Sequence, residues 1–267
     1  MKEQDYQFLI LGNFSPFEPF LTHELSKRAR LLVPTPEELP LNDPGLICAF
    51  LTIRNPDAVF YGPNLRQSTE KGSHAIIDAC AHALQTKESL LVSWSSSNEV
   101  VCQNRRARSL FLILPEIIFT PYRKNFISEC MKQFLVRKRI QFKDAKRTSL
   151  IGTRLLSKML AHSSFRCLAN PELCGQYRLQ ACGSPTKTEI AERIYGTMRK
   201  LLPEQPLAKA EFLGINEGPR SEDALGSNEE FMMNFNFILP SWQQQIDEAV
   251  AYQLPLLYKK VSADTSV

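Results

Sequence analysis

The sequence lacks most of the features that assign a chain to a class at sight. No stretch approaches the roughly 20 consecutive apolar residues that a membrane-crossing helix requires, so an integral helical membrane protein is excluded. The first apolar stretch, Tyr6 to Leu11, is too short for a secretory leader. Seven cysteines, an odd number without paired spacing, exclude a disulfide framework and point to a reducing compartment. A cytoplasmic location is therefore expected. Glycine is scarce, 11 in 267 residues, and no strand end opens into GxGxxG or a P-loop. That removes the usual sequence support for a nucleotide site. A GxSxG nucleophile elbow is also missing. No cofactor and no resident metal are expected.

What is present is an ordinary globular composition, 43% hydrophobic and 22% charged, in a chain long enough to bury a sizeable core. Short apolar runs punctuated by turn residues predict strands over 6–11, 46–51, 58–61, 90–94 and 109–114. The run Leu110-Phe111-Leu112-Ile113-Leu114, stopped by Pro115, has no polar face and reads as a strand buried on both sides. Helical periodicity is predicted over 17–30, with Lys27, Arg28 and Arg30 suiting its C-terminal end. A second helix is predicted over 73–85, with Ile76, Ile77, Cys80, Ala81 and Leu84 on one face. Residues 33–44 carry four prolines and read as an extended connection. Strands alternating with helices predict an α/β fold, a mostly parallel sheet covered by helices.

The C-terminal half changes character and predicts a helix-rich α+β arrangement, with the division placed between 1–118 and 119–267. Thr120-Pro121 suits a helix start, followed by the apolar face Phe126, Ile127, Cys130, Met131 and Phe134. Residues 149–162 repeat that pattern. Thr186-Lys187-Thr188-Glu189 is a capping box opening a helix that Pro203 halts. Residues 208–227 read largely as loop, 231–239 alternate as a half-buried strand, and Ser241 caps a last helix.

Charge is unevenly spread. Residues 105–158 hold fourteen Lys/Arg against three acids, whereas 204–248 hold nine acids against Lys209 and Arg220. Either the basic region faces a polyanionic partner, or the two regions face each other within the fold. The candidate partner-binding residues are Arg137, Lys138, Arg139, Lys143, Arg147, Arg154 and Lys158. If residues 143–160 form one helix, Lys143, Arg147, Arg154 and Lys158 stack as a single stripe. Arg137 to Arg139 also have a local explanation, since cations complement a helix C-terminus. Interleaved aromatics are nearly absent, which argues against a single-strand stacking platform.

His74, Asp78 and His82 recur every four residues on the polar flank of the second predicted helix. Two imidazoles and a carboxylate on one face can ligate a divalent ion or support base catalysis, although exposed helix residues show the same pattern. His162, Cys167, Cys174 and Cys182 are spaced too widely for a zinc knuckle and read as core. These signals together lead to the expectation of a non-enzymatic adaptor or scaffold subunit. It would dock an acidic protein partner within a larger assembly through its basic surface. The alternatives are nucleic-acid binding through the stripe and a metal-assisted hydrolase using His74, Asp78 and His82.

Overall fold

A computed structural model describes residues 6–12, 17–62, 70–85, 88–95, 108–121, 124–137, 139–144, 146–213 and 228–264. Six strands form one wholly parallel sheet: β1 (Tyr6–Leu11), β2 (Ala29–Leu32), β3 (Ala58–Tyr61), β4 (Leu90–Ser95), β5 (Ser109–Ile113) and β9 (Gly175–Arg178). Their order is β2-β1-β3-β4-β5-β9. The α/β expectation holds, with a parallel sheet and helical connections. Strand β4 is buried at all six positions and β3 at all four, as a sheet covered on both faces requires. The central run anticipated at 109–114 lies between β4 and β9.

The chain folds into two compact units. One comprises residues 1–114, 154–179 and 228–237, and the other 115–153, 180–227 and 238–267. In the first, helices α2 (Pro44–Arg54) and α3 (Glu70–Leu84) bury Ile47, Leu51, Ile77, Cys80 and Leu84 against Leu9, Val59 and Leu91. Among the aromatic rings of this unit, Phe8 meets Phe60 at 5.4 Å and Phe165 of helix α5 (Thr153–Ala169) at 5.2 Å. In the second unit, α4 (Phe126–Val136), α6 (Lys187–Leu201) and α8 (Trp242–Asp264) share a core of Ile127, Met131, Phe134, Ile190, Ile194, Met198, Ile246 and Val250. Two small parallel pairs complete it: β6 (Ile117–Phe119) with β8 (Leu150–Gly152), and β7 (Arg139–Phe142) with β10 (Lys209–Phe212).

Several expected elements change type or length. Residues 46–51 form part of helix α2. Asp43 caps it by accepting from the Gly45 and Leu46 amides, Pro44 occupies its first turn, and Asn55 ends it at φ 43°. A six-residue apolar run fits a buried strand or a buried helix equally, and the caps decide. Helix α1 (Glu18–Ser26) stops earlier than residue 30, and Arg30 belongs to β2. Residues 231–239 do not alternate as a strand. Helix α7 (Glu229–Phe235) buries Phe231 and Phe235, one turn apart, and leaves Met233 81% exposed. The fourth helix is capped by Asn125 with a Ser128 capping box, not by Thr120. The Thr186–Glu189 box and the Ser241 cap stand as expected.

Candidate functional site

The sheet order reverses between β1 and β3. The chain leaves β1 through α1 to β2 on one side, returns through α2 to β3 on the other, and continues outward to β4 and β5. In open parallel sheets a ligand binds outside the carboxyl ends of the strands at such a reversal, because the departing connections diverge there and leave a crevice. Gly12 closes β1 at φ +93°, a left-handed conformation that favours glycine. A side chain on Gly12 would meet the Gly62 carbonyl at 3.6 Å and Leu41 Cδ1 at 3.7 Å. The ends of β1 and β3 therefore lie side by side.

Gly62 has a different role. A Cβ there would fall 1.8 Å from Trp94 Cε2 and 2.1 Å from Nε1, so the indole lies directly on the glycine. Trp94 is 1% exposed and meets Phe17 edge-on at 5.2 Å and 64°. Its neighbour Ser93, level with Tyr61 of β3, points its hydroxyl into a buried position with no hydrogen-bond partner among the described residues. A buried hydroxyl without a partner is unfavourable by about 1–3 kcal/mol, which a ligand group at this edge would relieve.

A nicotinamide dinucleotide held by the usual fingerprint does not fit these residues. Of its three glycines only Gly12 is present; Phe14 and Phe17 stand at the second and third positions. Glu18 lies in the first turn of α1, where an acid opposes a pyrophosphate, and Phe17 at the cap supplies no side-chain bond. The segment leaving β2, Leu32-Val33-Pro34, carries no carboxylate for a ribose hydroxyl. The space that Gly62 opens is taken by Trp94.

Asp78 and His82 are exposed on α3, and His74 lies on the same helix, its side chain outside the described residues. Among the described residues no His/Cys/Asp/Glu group is arranged to hold a metal ion. The four-cation stripe does not form. Residues 143–149 are irregular, β8 intervenes, and α5 begins only at Thr153, so Lys143 and Arg147 share no helix with Arg154 and Lys158. Arg137 is the C-cap of α4, and Lys138 lies outside the described residues. Acids of the same unit answer much of the basic charge: Arg139 pairs with Glu211, Lys146 with Glu116 and Arg147 with Glu189. Arg147 also donates to the Ser184 carbonyl at 2.6 Å, and the Arg154 guanidinium lies over Phe20 at 5.6 Å.

No family model and no curated protein matches this sequence. Solved structures do match it in fold. The dTDP-4-dehydrorhamnose reductase of Bacillus anthracis, in complex with NADP, is 13% identical with a TM-score of 0.66, covering 92% of this chain and 97% of its own. The GDP-mannoheptose C4 reductase of Campylobacter jejuni with NADP bound is 11% identical, TM-score 0.63, covering 94% and 99%. A UDP-N-acetylglucosamine 4-epimerase from Bacillus cereus is 11% identical, TM-score 0.64, covering 93% and 99%. At such identities the likeness establishes the fold. It also overturns the adaptor reading and its assembly partner, which rested on missing cofactor motifs and a contiguous basic face. The chain carries, almost end to end, an architecture found in sugar-nucleotide enzymes, and Lys143 and Arg147 share no helix with Arg154 and Lys158. Among the described residues no helix is long and apolar enough to cross a membrane.

Proposed function

We propose that this chain is an enzyme acting on a nucleotide-linked sugar, with the nucleotide seated at the carboxyl ends of β1, β3 and β4. The observation that carries the reading is the strand reversal at β1 and β3 with Gly12 at a left-handed φ in its mouth. The whole-chain likeness to dTDP-, GDP- and UDP-sugar enzymes supports it. In this reading Gly12 keeps the first turn tight, Ser93 Oγ supplies a buried hydroxyl for a polar group of the ligand, and Trp94 on Gly62 forms an apolar floor. Because the residues do not fit a dinucleotide in its usual mode, no hydride-transfer step is assigned to any of them. A cytoplasmic setting belongs to the same proposal and rests on the absence of paired cysteine spacing.

Equilibrium titration with UDP and with NADPH, followed by tryptophan fluorescence and by calorimetry, tests the reading. UDP is expected to bind in the range of about 1 µM to 1 mM typical of enzyme substrates, and Gly12→Val is expected to abolish it. Tight NADPH binding would overturn the argument against a dinucleotide. Binding of neither nucleotide would overturn the proposal as a whole.

A further inference from the structure

Helix α2 has two apolar faces. One points inward: Ile47 and Leu51 are fully buried in the core of their unit, and the Cys48 thiol donates to the Ala79 carbonyl of α3 at 3.4 Å. The other points outward. Leu46 is 48% exposed and Ile53 80%, Ala49 is exposed as well, and Phe50 is only half-buried. Positions 46, 49, 50 and 53 stand at i, i+3, i+4 and i+7, so they form one continuous stripe roughly 100° wide over two turns. Thr52, beside the stripe, turns its hydroxyl back onto the Cys48 carbonyl at 2.8 Å. Single exposed apolar residues are ordinary on a protein surface, whereas a contiguous set marks a contact surface. The outer face of α6, by comparison, exposes Glu189, Glu192, Arg199 and Lys200.

The stripe is complementary to itself. A two-fold contact repeats every pairing, with residue i on residue j and j on i. Antiparallel packing about an axis between positions 49 and 50 sets Leu46 against Ile53 of the second copy at both ends. It gathers Ala49 and Phe50 of both copies at the centre, small beside large. The charges follow the same symmetry. Asp43 caps the amino end of α2, accepting from Gly45 N at 2.9 Å and Leu46 N at 3.1 Å, and Arg54 closes the carboxyl end. Eleven residues are close to three turns, so Asp43 and Arg54 lie on the same flank of the stripe. In the antiparallel pair each Arg54 comes level with Asp43 of the other copy to within about two residues, or ~3 Å of rise. Neither residue has an ion-pair partner among the described residues, and the Arg54 guanidinium lies over the Phe50 ring at 5.6 Å. One charge of each sign on that flank suits a copy of itself better than a partner of one sign.

We infer that α2 is a self-association face, on which a second copy of this chain packs its own α2 antiparallel through Leu46, Ala49, Phe50 and Ile53. The opposed helix dipoles favour that orientation, and the Asp43 to Arg54 pairs at the two ends fix the register. A single helix pair buries less than the roughly 800 Å² per partner of a standard interface. The dimer is therefore reversible, with a dissociation constant above about 1 µM.

The test begins with the native chain. Sedimentation velocity between about 1 µM and about 500 µM should show the mass rising from that of one chain to that of two. Ile53→Asp should weaken the dimer at least about tenfold and leave the urea midpoint unchanged, since Ile53 lies outside the core. Arg54→Glu should weaken it too, and by more at low salt. Ala49→Cys, mildly oxidised at a concentration where the dimer forms, should give a disulfide-linked dimer whose peptide map joins position 49 to position 49. A chain that stays monomeric up to about 500 µM overturns the inference and leaves the stripe to an unrelated partner. A dimer that Ile53→Asp leaves intact, or that yields no crosslink between the two copies of position 49, overturns it as well, because self-association would then use another surface.

Discussion

Replacing Gly62 by alanine tests the packing at the crevice floor at the scale of a single methyl group. The new Cβ would lie 1.8 Å from Trp94 Cε2, and the atoms it meets belong to a rigid indole, not to the free end of a flexible side chain. Trp94 must therefore move. Overpacking of this kind is unfavourable by about 1–3 kcal/mol. Displacing the indole also disturbs the edge-on contact with Phe17, and aromatic pairs contribute about 0.5–1.5 kcal/mol. A loss of about 1.5–4.5 kcal/mol follows by addition of those ranges. With a urea slope of about 3 kcal/mol/M for a chain of this size, the midpoint should fall by about 1 M. Urea denaturation followed by tryptophan fluorescence and by circular dichroism measures this, the two probes together showing whether the transition is two-state. The cause is isolated by a double-mutant cycle. In a Trp94→Ala background, Gly62→Ala has room and should change stability by less than about 0.5 kcal/mol. An unchanged midpoint for Gly62→Ala, or an equal loss in both backgrounds, would refute the reasoning.

The other predictions concern the second unit. Gly196 lies inside α6 with no atom within 4 Å of the place a Cβ would take, so Gly196→Ala should stabilise by about 0.5–1 kcal/mol in the same urea experiment. Thr186 caps α6 by accepting from Glu189 N at 3.1 Å, and Thr186→Ala should lose about 1 kcal/mol. Asp247 accepts from Arg193 Nε at 2.8 Å and from Thr197 Oγ1 at 2.6 Å. Burial alone would raise its carboxyl, but those two donors outweigh it and hold the carboxyl below the usual range. A depressed folded pKa gives stability that is complete above the unfolded value of about 3.9 and is lost as pH falls through the folded value. Asp247→Asn should therefore lose about 1 kcal/mol at pH 7, a modest figure because the pair is partly solvated. The difference from the unmutated chain should shrink below about pH 4, as thermal melts across the acid range would record.

How far the sequence was readable depends on which forces act locally. The strands 6–11, 58–61, 90–95 and 109–113 announce themselves because a parallel sheet covered on both faces needs uninterrupted apolar runs. The α6 start was legible because a capping box is a contact between residues three apart. Helix α2 was not, since residues 46–51 are apolar throughout and the deciding signals, Asp43-Pro44 before and Asn55 after, lie outside the run. Helix α7 was misread because apolar residues at 231, 233 and 235 imitate alternation, whereas only Phe231 and Phe235 are buried and Met233 points outward. The candidate crevice was hidden for another reason. A strand reversal is a property of tertiary order, and only Gly12 marks it locally. The glycine-scarce sequence discouraged a nucleotide site of the common kind, and that local argument still holds against the fingerprint even though the fold is one found in nucleotide-sugar enzymes.

The claim that a nucleotide occupies the β1–β3 reversal is tested most directly by hydrogen–deuterium exchange with and without saturating UDP. The account predicts slowed exchange in the peptides that end at Gly12 and at Gly62 and in β4, with α6 unchanged. Protection confined to α6 or α8, or no protection anywhere, would contradict it.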